Sequence, residues 1–424
     1  MRTRLALAAL AVLVLALLVF LFVGPKDRTE GEAPPPSVSL GATAIERGRA
    51  LVTLADCRPC HTARGGADFA GGRAITTPFG IFYSPNITPD PQTGIGTWTS
   101  DDFWHALHNG YSRDGRPLYP TFPYTNYTKI SRRDAQDMYE YLRTIAPVRK
   151  PSREHELRFP YDRTVALMLW RRLFFRPGVY QPDPAHSSKW NRGAYLVEGL
   201  AHCSACHEAR NSLGAIRSER NPAGGLVLNW YAPSLARSHE AGLQTWPEQQ
   251  IVEFLATGRT ADAAGMGPMA EVIYESLQHV PPSELDAMAA YLKSIPGASE
   301  ARPLVTSRAT DPAVLASGRE IYGKNCARCH GDDGRGKPPA ALALAGNRAV
   351  TMPSVTNPVR IVLYGGYPPG TAGNPRPFGM PPFADRLTNV EIAEVLTYVR
   401  SAWGNRAGAV SANDVLRNRT GPEW

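Results

Sequence analysis

The sequence predicts a mainly α-helical chain of three tandem domains behind a single N-terminal membrane-spanning helix. Three observations carry that expectation. An uninterrupted apolar run opens the chain, one short cysteine–histidine motif occurs three times, and each copy lies at the same place between two stretches of helical periodicity.

The apolar run extends from Leu5 to Val23 and contains no charge, glycine or proline. A run of this length can cross the hydrocarbon core of a bilayer as a helix. Arg2 and Arg4 ahead of it favour a cytoplasmic N-terminus, which puts the bulk of the chain on the periplasmic side of a bacterial inner membrane. The competing reading is a cleaved secretory signal. The apolar region of such signals is usually shorter, and the nearest small-x-small site, Gly31-Glu32-Ala33, is distant and followed by Pro34. A retained single-pass anchor is the expectation, and either reading exports the rest. Residues 1–37 are then anchor and spacer, closed by the stiff Ala33-Pro-Pro-Pro-Ser37.

All six cysteines fall in one pattern: Cys57-Arg-Pro-Cys60-His61, Cys203-Ser-Ala-Cys206-His207 and Cys326-Ala-Arg-Cys329-His330. Two thiols three positions apart lie about one helical turn from each other, within reach of both vinyl groups of one haem, and the adjacent histidine can ligate the iron. Zinc would need two such pairs meeting in space and would not require a histidine after every second cysteine. A thioredoxin-like site would want a single pair in a βαβ setting. Structural disulfides suit an exported protein, but Cys-x-x-Cys closes too short a loop to serve as one. The expected cofactors are therefore three covalently attached haems c, and the expected fold is three tandem cytochrome c domains with proximal ligands His61, His207 and His330.

The surroundings of the motifs repeat as well. Each is preceded by a helical stretch containing a glycine: Gly48 within 46–52, Gly193 within 191–197 and Gly318 within 316–322. Each unit closes with an apolar-periodic helix bearing an aromatic pair: 134–145 with Tyr141-Leu142, 282–295 with Tyr291-Leu292, and 390–403 with Tyr398-Val399. Packing of first helix on last, with haem between them, is the expected architecture. The domains are then 38–146, 185–296 and 313–404, joined by 147–184 and 297–312 and followed by a polar tail, 405–424, expected to wrap the surface or stay loose. The first connector contains a helix at 163–175, expected to pack between domains. The alternative is that its apolar face, with Arg171 and Arg172, rests on a membrane or a partner.

A histidine–methionine pair raises the potential of haem iron and suits electron transfer. Met269, in Gly267-Pro268-Met269-Ala270, and Met380, in Gly379-Met380-Pro381-Pro382, are the candidate sixth ligands of the second and third haems, both expected in loops. Met266 is a near rival. Met138 and Met288 read as core residues and Met352 as a loop residue. The first domain breaks the pattern. Phe122 lies as far beyond His61, to within one residue, as Met269 lies beyond His207. Its haem is expected to be five-coordinate or to take a substitute such as His105 or His108 on a predicted helix at 101–109.

The remaining composition narrows the function classes. With 43% hydrophobic and 20% charged residues the chain is globular, and 38 prolines predict many ordered loops. The net charge of +8 is spread over the sequence without a basic cluster carrying aromatics, which excludes a nucleic-acid binder.

Taken together, Tyr83-Ser-Pro-Asn-Ile-Thr-Pro-Asp90 with Thr93-Gly-Ile-Gly96, Trp190-Asn-Arg-Gly-Ala-Tyr-Leu-Val-Glu-Gly199, Gly267-Pro-Met-Ala-Glu-Val272, and Gly373-Asn-Pro375 with Gly379-Met-Pro-Pro-Phe383 resemble the membrane-bound cytochrome c subunits of bacterial periplasmic dehydrogenases. These include the three-haem subunit of quinohaemoprotein alcohol dehydrogenase and the cytochrome subunits of flavin-dependent gluconate and sorbitol dehydrogenases and of molybdenum hydroxylases. The resemblance spans about 45–405. It implies three haems c, a catalytic dehydrogenase partner of quinoprotein, flavin or molybdenum type, delivery of electrons to ubiquinone or a terminal oxidase, and Met269 and Met380 as axial ligands. Phe122 departs from the alcohol dehydrogenase type, which carries methionine there. The expected function is electron transfer by a non-catalytic subunit. The alternatives are a peroxidase-like enzyme using an open first haem, and the cytochrome subunit of a terminal oxidase.

Overall fold

The computed structural model describes residues 41–216, 223–297, 311–337 and 341–419. The expected anchor at Leu5–Val23 lies outside them. Among the described residues no helix is long and apolar enough to cross a membrane. The described residues form two compact units, one of residues 41–52, 60–185 and 198–202, the other of 53–59, 186–197 and the described residues from 203 to 419.

The first repeat runs through α1 (Ala44–Leu54), α2 (Cys57–Cys60), a β1 (Ala74–Thr77) and β2 (Gly80–Tyr83) ribbon, α3 (Ser100–Asn109), α4 (Tyr124–Tyr127) and α5 (Arg132–Leu142). The ribbon is antiparallel, Ala74 facing Tyr83, and β3 (Glu156–Leu157) adds to its edge with Leu157 opposite Gly80. Thr99 starts α3 through a capping box with Asp102, and Gly110, at φ 65°, ends it in the left-handed conformation that a side chain resists. The inward face of α3, Phe103, Trp104 and Leu107, is buried.

The connector forms α6 (Thr164–Phe174). Only Leu167 and Arg171 of this helix are buried, so it is anchored along one edge. The Arg171 guanidinium donates to the carbonyls of Gly110, at 3.0 Å, and Asn109, and lies over the Tyr111 and Tyr124 rings at 4.3 and 4.9 Å. Caged by carbonyls and π-faces, this cation is held inside rather than presented to a surface. Val165 (67% exposed), Leu169, Leu173 and Phe174 face outward.

The second repeat consists of α7 (Ser188–Tyr195), which continues as a π-turn at Leu196–Leu200, then α8 (Ser204–His207), a β4 (Gly225–Val227) and β5 (Trp230–Ala232) ribbon, α9 (Glu248–Thr257), α10 (Pro268–Glu275) and α11 (Pro282–Ser294). The third has α12 (Pro312–Asn325), α13 (Ala327–His330), α14 (Arg348–Thr351), α15 (Thr356–Tyr364) and α16 (Asn389–Ser401), and the tail adds α17 (Ala412–Asn418). Val415 of α17 is fully buried with Val359, Leu363, Ile392 and Leu396. The tail therefore belongs to the third domain's core.

One physical constraint recurs in every repeat. A Cβ built on Gly48 would fall within 3.0 Å of the Asp137 carbonyl oxygen and the Tyr141 Cβ. On Gly193 it would meet Ala287 and Tyr291 in the same way, and on Gly318, Glu394 and Tyr398. Each opening helix thus crosses its closing helix backbone to backbone, at the glycine and the tyrosine that the sequence repeats. A polar pair flanks each crossing: Arg47 with Asp137 at 2.7 Å, Arg192 with Glu284 at 2.8 Å, and Ser317 with Glu394 at 2.6 Å.

Candidate haem-binding site

The three motif histidines are held alike. Nδ1 of His61 donates to the Pro85 carbonyl at 2.8 Å, that of His207 to Pro233 at 2.7 Å, and that of His330 to Leu342 at 3.1 Å. Committing Nδ1–H to a main-chain acceptor fixes the tautomer and turns Nε2, the lone-pair nitrogen, outward as a metal ligand. Burial lowers the pKa of all three imidazoles, and the carbonyl bonds oppose that shift. Neutral imidazole is the form that binds iron.

None of the six cysteines is joined in a disulfide. Burial pushes Cys203 up to about 12, and Cys206 and Cys326 up to about 11. In the first two motifs a left-handed residue, Asp56 (φ 53°) or His202 (φ 37°), precedes the first cysteine and turns the chain sharply into the motif. In the third, α12 runs directly to Cys326. Among the described residues no three His, Cys, Asp or Glu side chains converge as a metal cluster.

The candidate sixth-ligand positions are also built to one plan. The middle helices α3, α9 and α15 end at Gly110, Gly258 and Gly365, all with positive φ. An isolated bridge then pinches the loop: Tyr111 with Pro117, Arg259 with Ala264, and Gly366 with Met380. Phe122, Met269 and Met380 follow or close these loops. Met380 exchanges both main-chain bonds with Gly366, at 2.9 and 3.0 Å, as expected of a loop residue. Met269 departs from the expected loop, because it sits in the first turn of α10. Phe122 is half-buried, with its ring 5.5 Å from that of Tyr127.

The two histidines considered for the first haem separate cleanly. His105 is exposed, with Nδ1 2.8 Å from Asn109 Oδ1. His108 is fully buried, stacked on Trp104 at 4.5 Å, with Nδ1 2.8 Å from the Thr128 carbonyl. Counting back from the terminal glycine of each middle helix, the place of His108 is taken by Ala256 and Leu363 in the other repeats. Met138 and Met288 are in the core as expected, and Met352, expected in a loop, is buried as well.

Sequence reasoning missed the carbonyl acceptors. A signal existed for two of them, since Tyr83-Ser-Pro85 and Tyr231-Ala-Pro233 share a Tyr-x-Pro pattern at the end of a ribbon. It also missed Arg360. This side chain is 1% exposed, and its Nε and Nη2 lack an acceptor although Trp230 and Tyr364 flank it at 5.1 and 5.0 Å. A buried cation without an anion is strongly destabilising. A carboxylate of the kind a haem carries would complete it, so the residues present fit the group.

The cytochrome c family profile matches residues 45–146, 191–296 and 315–403. The chain is 38% identical to the cytochrome c subunit of alcohol dehydrogenase (quinone) from Gluconobacter oxydans, covering 89% of this chain and 82% of that protein. It is 36% identical to the gluconate 2-dehydrogenase cytochrome c subunit of Pantoea cypripedii, with 88% and 89% covered. It is also 39% identical to a nicotinate dehydrogenase subunit of Pseudomonas putida over 89% of its own length, but spans only 33% of that longer protein. The chain belongs to the cytochrome c family, in the branch of dehydrogenase cytochrome c subunits, which transfer electrons on covalent haem c.

Proposed function

We propose that this chain carries three haems c and relays electrons from a catalytic dehydrogenase subunit in the periplasm to ubiquinone or a terminal oxidase. The observation that carries this reading is the threefold recurrence of one arrangement, a Cys-x-x-Cys pair followed by a histidine with Nδ1 tied to a main-chain carbonyl. In this assignment Cys57 and Cys60, Cys203 and Cys206, and Cys326 and Cys329 attach the porphyrins. His61, His207 and His330 are the proximal ligands, and Met269 and Met380 the distal ones. When bound, haem supplies reversible one-electron chemistry. The protein's part is to hold the imidazoles neutral and oriented, and to keep the sites close. Segment 53–59 of the first motif belongs to the second compact unit, where Arg58 pairs with Glu275 and the Leu54 carbonyl accepts from Ser276 Oγ at 3.3 Å.

A membrane location rests on the N-terminal apolar run, and α6 adds support. Its outward Val165, Leu169, Leu173 and Phe174, with nearby Phe159, are rimmed by exposed Arg158, Arg163 and Arg176. Apolar side chains edged by cations match an anionic lipid surface.

The test is gentle solubilisation of native membranes, purification through haem absorbance, haem quantification and mass spectrometry of what co-purifies. Three haems per chain and a dehydrogenase subunit are expected. A lone chain with two haems would overturn the reading. Phe122 favours a second reading, in which the first haem lacks a strong sixth ligand and binds a small molecule such as peroxide. The other candidates for that position are His105 and His108, and of the two only His108 has its Nδ1 at a main-chain carbonyl, as the motif histidines do. Peroxide turnover by the isolated protein would support that second reading.

A further inference from the structure

The second proximal histidine is tied to a buried carboxylate through a single peptide group. His207 Nδ1–H donates to the Pro233 carbonyl at 2.7 Å. The other end of that same peptide, Ser234 N–H, donates to Glu240 Oε2 at 2.6 Å. Glu240 is 2% exposed, receives the Tyr231 hydroxyl at 2.8 Å, and has Arg237 Nη1 3.5 Å from Oε1. We propose that Glu240 is a positioning residue that lowers the reduction potential of the second haem by polarising the Pro233–Ser234 peptide toward His207.

Two physical effects act in the same direction. An anion on the N–H end of an amide makes its carbonyl a stronger acceptor, because chained hydrogen bonds polarise one another. A stronger acceptor at Nδ1 raises the basicity of the ligating nitrogen, which favours ferric over ferrous iron. The buried negative charge does so as well. The other repeats are built differently. Behind Pro85, the Asn86 N–H donates to a neutral hydroxyl, Ser152 Oγ, at 3.3 Å. In the third repeat the histidine bond itself is the longest of the three, at 3.1 Å. The device therefore distinguishes the second haem and sets it below its histidine–methionine counterpart in the third.

This inference rests on His207 as an axial ligand, so the test separates the two. In the full-length haem-loaded protein, Glu240→Gln is expected to raise one of the three potentials in an optical and EPR-monitored redox titration, by about tenfold in the ferrous-to-ferric ratio at fixed poise, or 59 mV for a one-electron couple. The other two should not move. Glu240→Asp, which keeps the carboxylate, should stay close to the parent potential. Tyr231→Phe strips a donor from the carboxylate, strengthens its hold on Ser234 N–H, and should move the same potential downward. Structural damage would not produce opposite signs from two neighbouring variants. Three intact haems with unchanged potentials in both Glu240→Gln and Tyr231→Phe would overturn the proposal. Failure of the underlying assignment would instead appear in His207→Ala, as haem EPR signals identical to those of the parent.

Discussion

Phe122 stands where its two counterparts carry methionine, in a loop that begins, like theirs, at a left-handed glycine and a bridge. A phenyl ring has no lone pair to offer iron, and its neighbours Tyr124 and Tyr127 give it an aromatic setting. The ferrous protein is therefore expected to bind carbon monoxide at one haem of three, read from the Soret change per haem. Phe122→Met should abolish that binding and raise the potential of the same haem, since a thioether ligand favours the ferrous state. Carbon monoxide bound equally by parent and variant would show that Phe122 is not at the sixth position. At this scale the sequence was informative wherever the chemistry resides in a side chain. The cysteine–histidine motifs, and the phenylalanine where the other repeats carry methionine, stand in the sequence itself. The acceptors Pro85, Pro233 and Leu342 act through their carbonyls, which every residue possesses, so only the shared Tyr-x-Pro pattern around the first two marks them in the sequence.

Between elements, the decisive contact is the crossing of opening and closing helices. At Gly193 the two backbones leave no room for a methyl group, whereas nothing lies within 4 Å of a Cβ at Gly323 on α12. Alanine gains about 1 kcal/mol over glycine in a helix interior, while overpacking a tight contact costs about 3 kcal/mol. Gly193→Ala should thus destabilise the haem-loaded protein by about 2 kcal/mol, and Gly323→Ala should stabilise it by up to about 1 kcal/mol. Thermal melts followed at the Soret band check both, and a shared sign would refute the crossing argument. These helices were legible beforehand because amphipathic periodicity survives in them. The closing stretch expected at 282–295 forms as Pro282–Ser294, and that at 390–403 as Asn389–Ser401. The ribbons and the π-turn at Leu196–Leu200 were not foreseen. Strands of three or four residues are too short to show an alternation, and tertiary packing decides them. The apolar stripe of α6 does not by itself say which surface covers it.

Across the molecule, a relay needs its carriers fixed relative to one another. The second and third repeats share one compact unit, and the contacts that join them are specific. Arg348 donates to the carbonyls of Ala241, at 2.7 Å, and Gly242, at 3.2 Å, and to Thr245 Oγ1 at 2.7 Å. Asn357 holds Tyr231 at both main-chain groups, at 2.9 and 2.7 Å. Arg360 lies over the Trp230 ring from the other repeat, and Trp230 in turn lies against Gly267, two residues before Met269. None of these side chains belongs to the proposed axial set. Removing Arg348 and Asn357 should therefore loosen the junction without changing either haem's ligands. Hydrogen bonds to a charged group contribute about 2 kcal/mol each, so Arg348→Ala with Asn357→Ala should separate one thermal transition of this unit into two. Electron equilibration between the second and third haems, followed after rapid mixing with a reductant, should slow. Unchanged kinetics in a protein that now melts in two steps would mean that the electron path does not cross this junction.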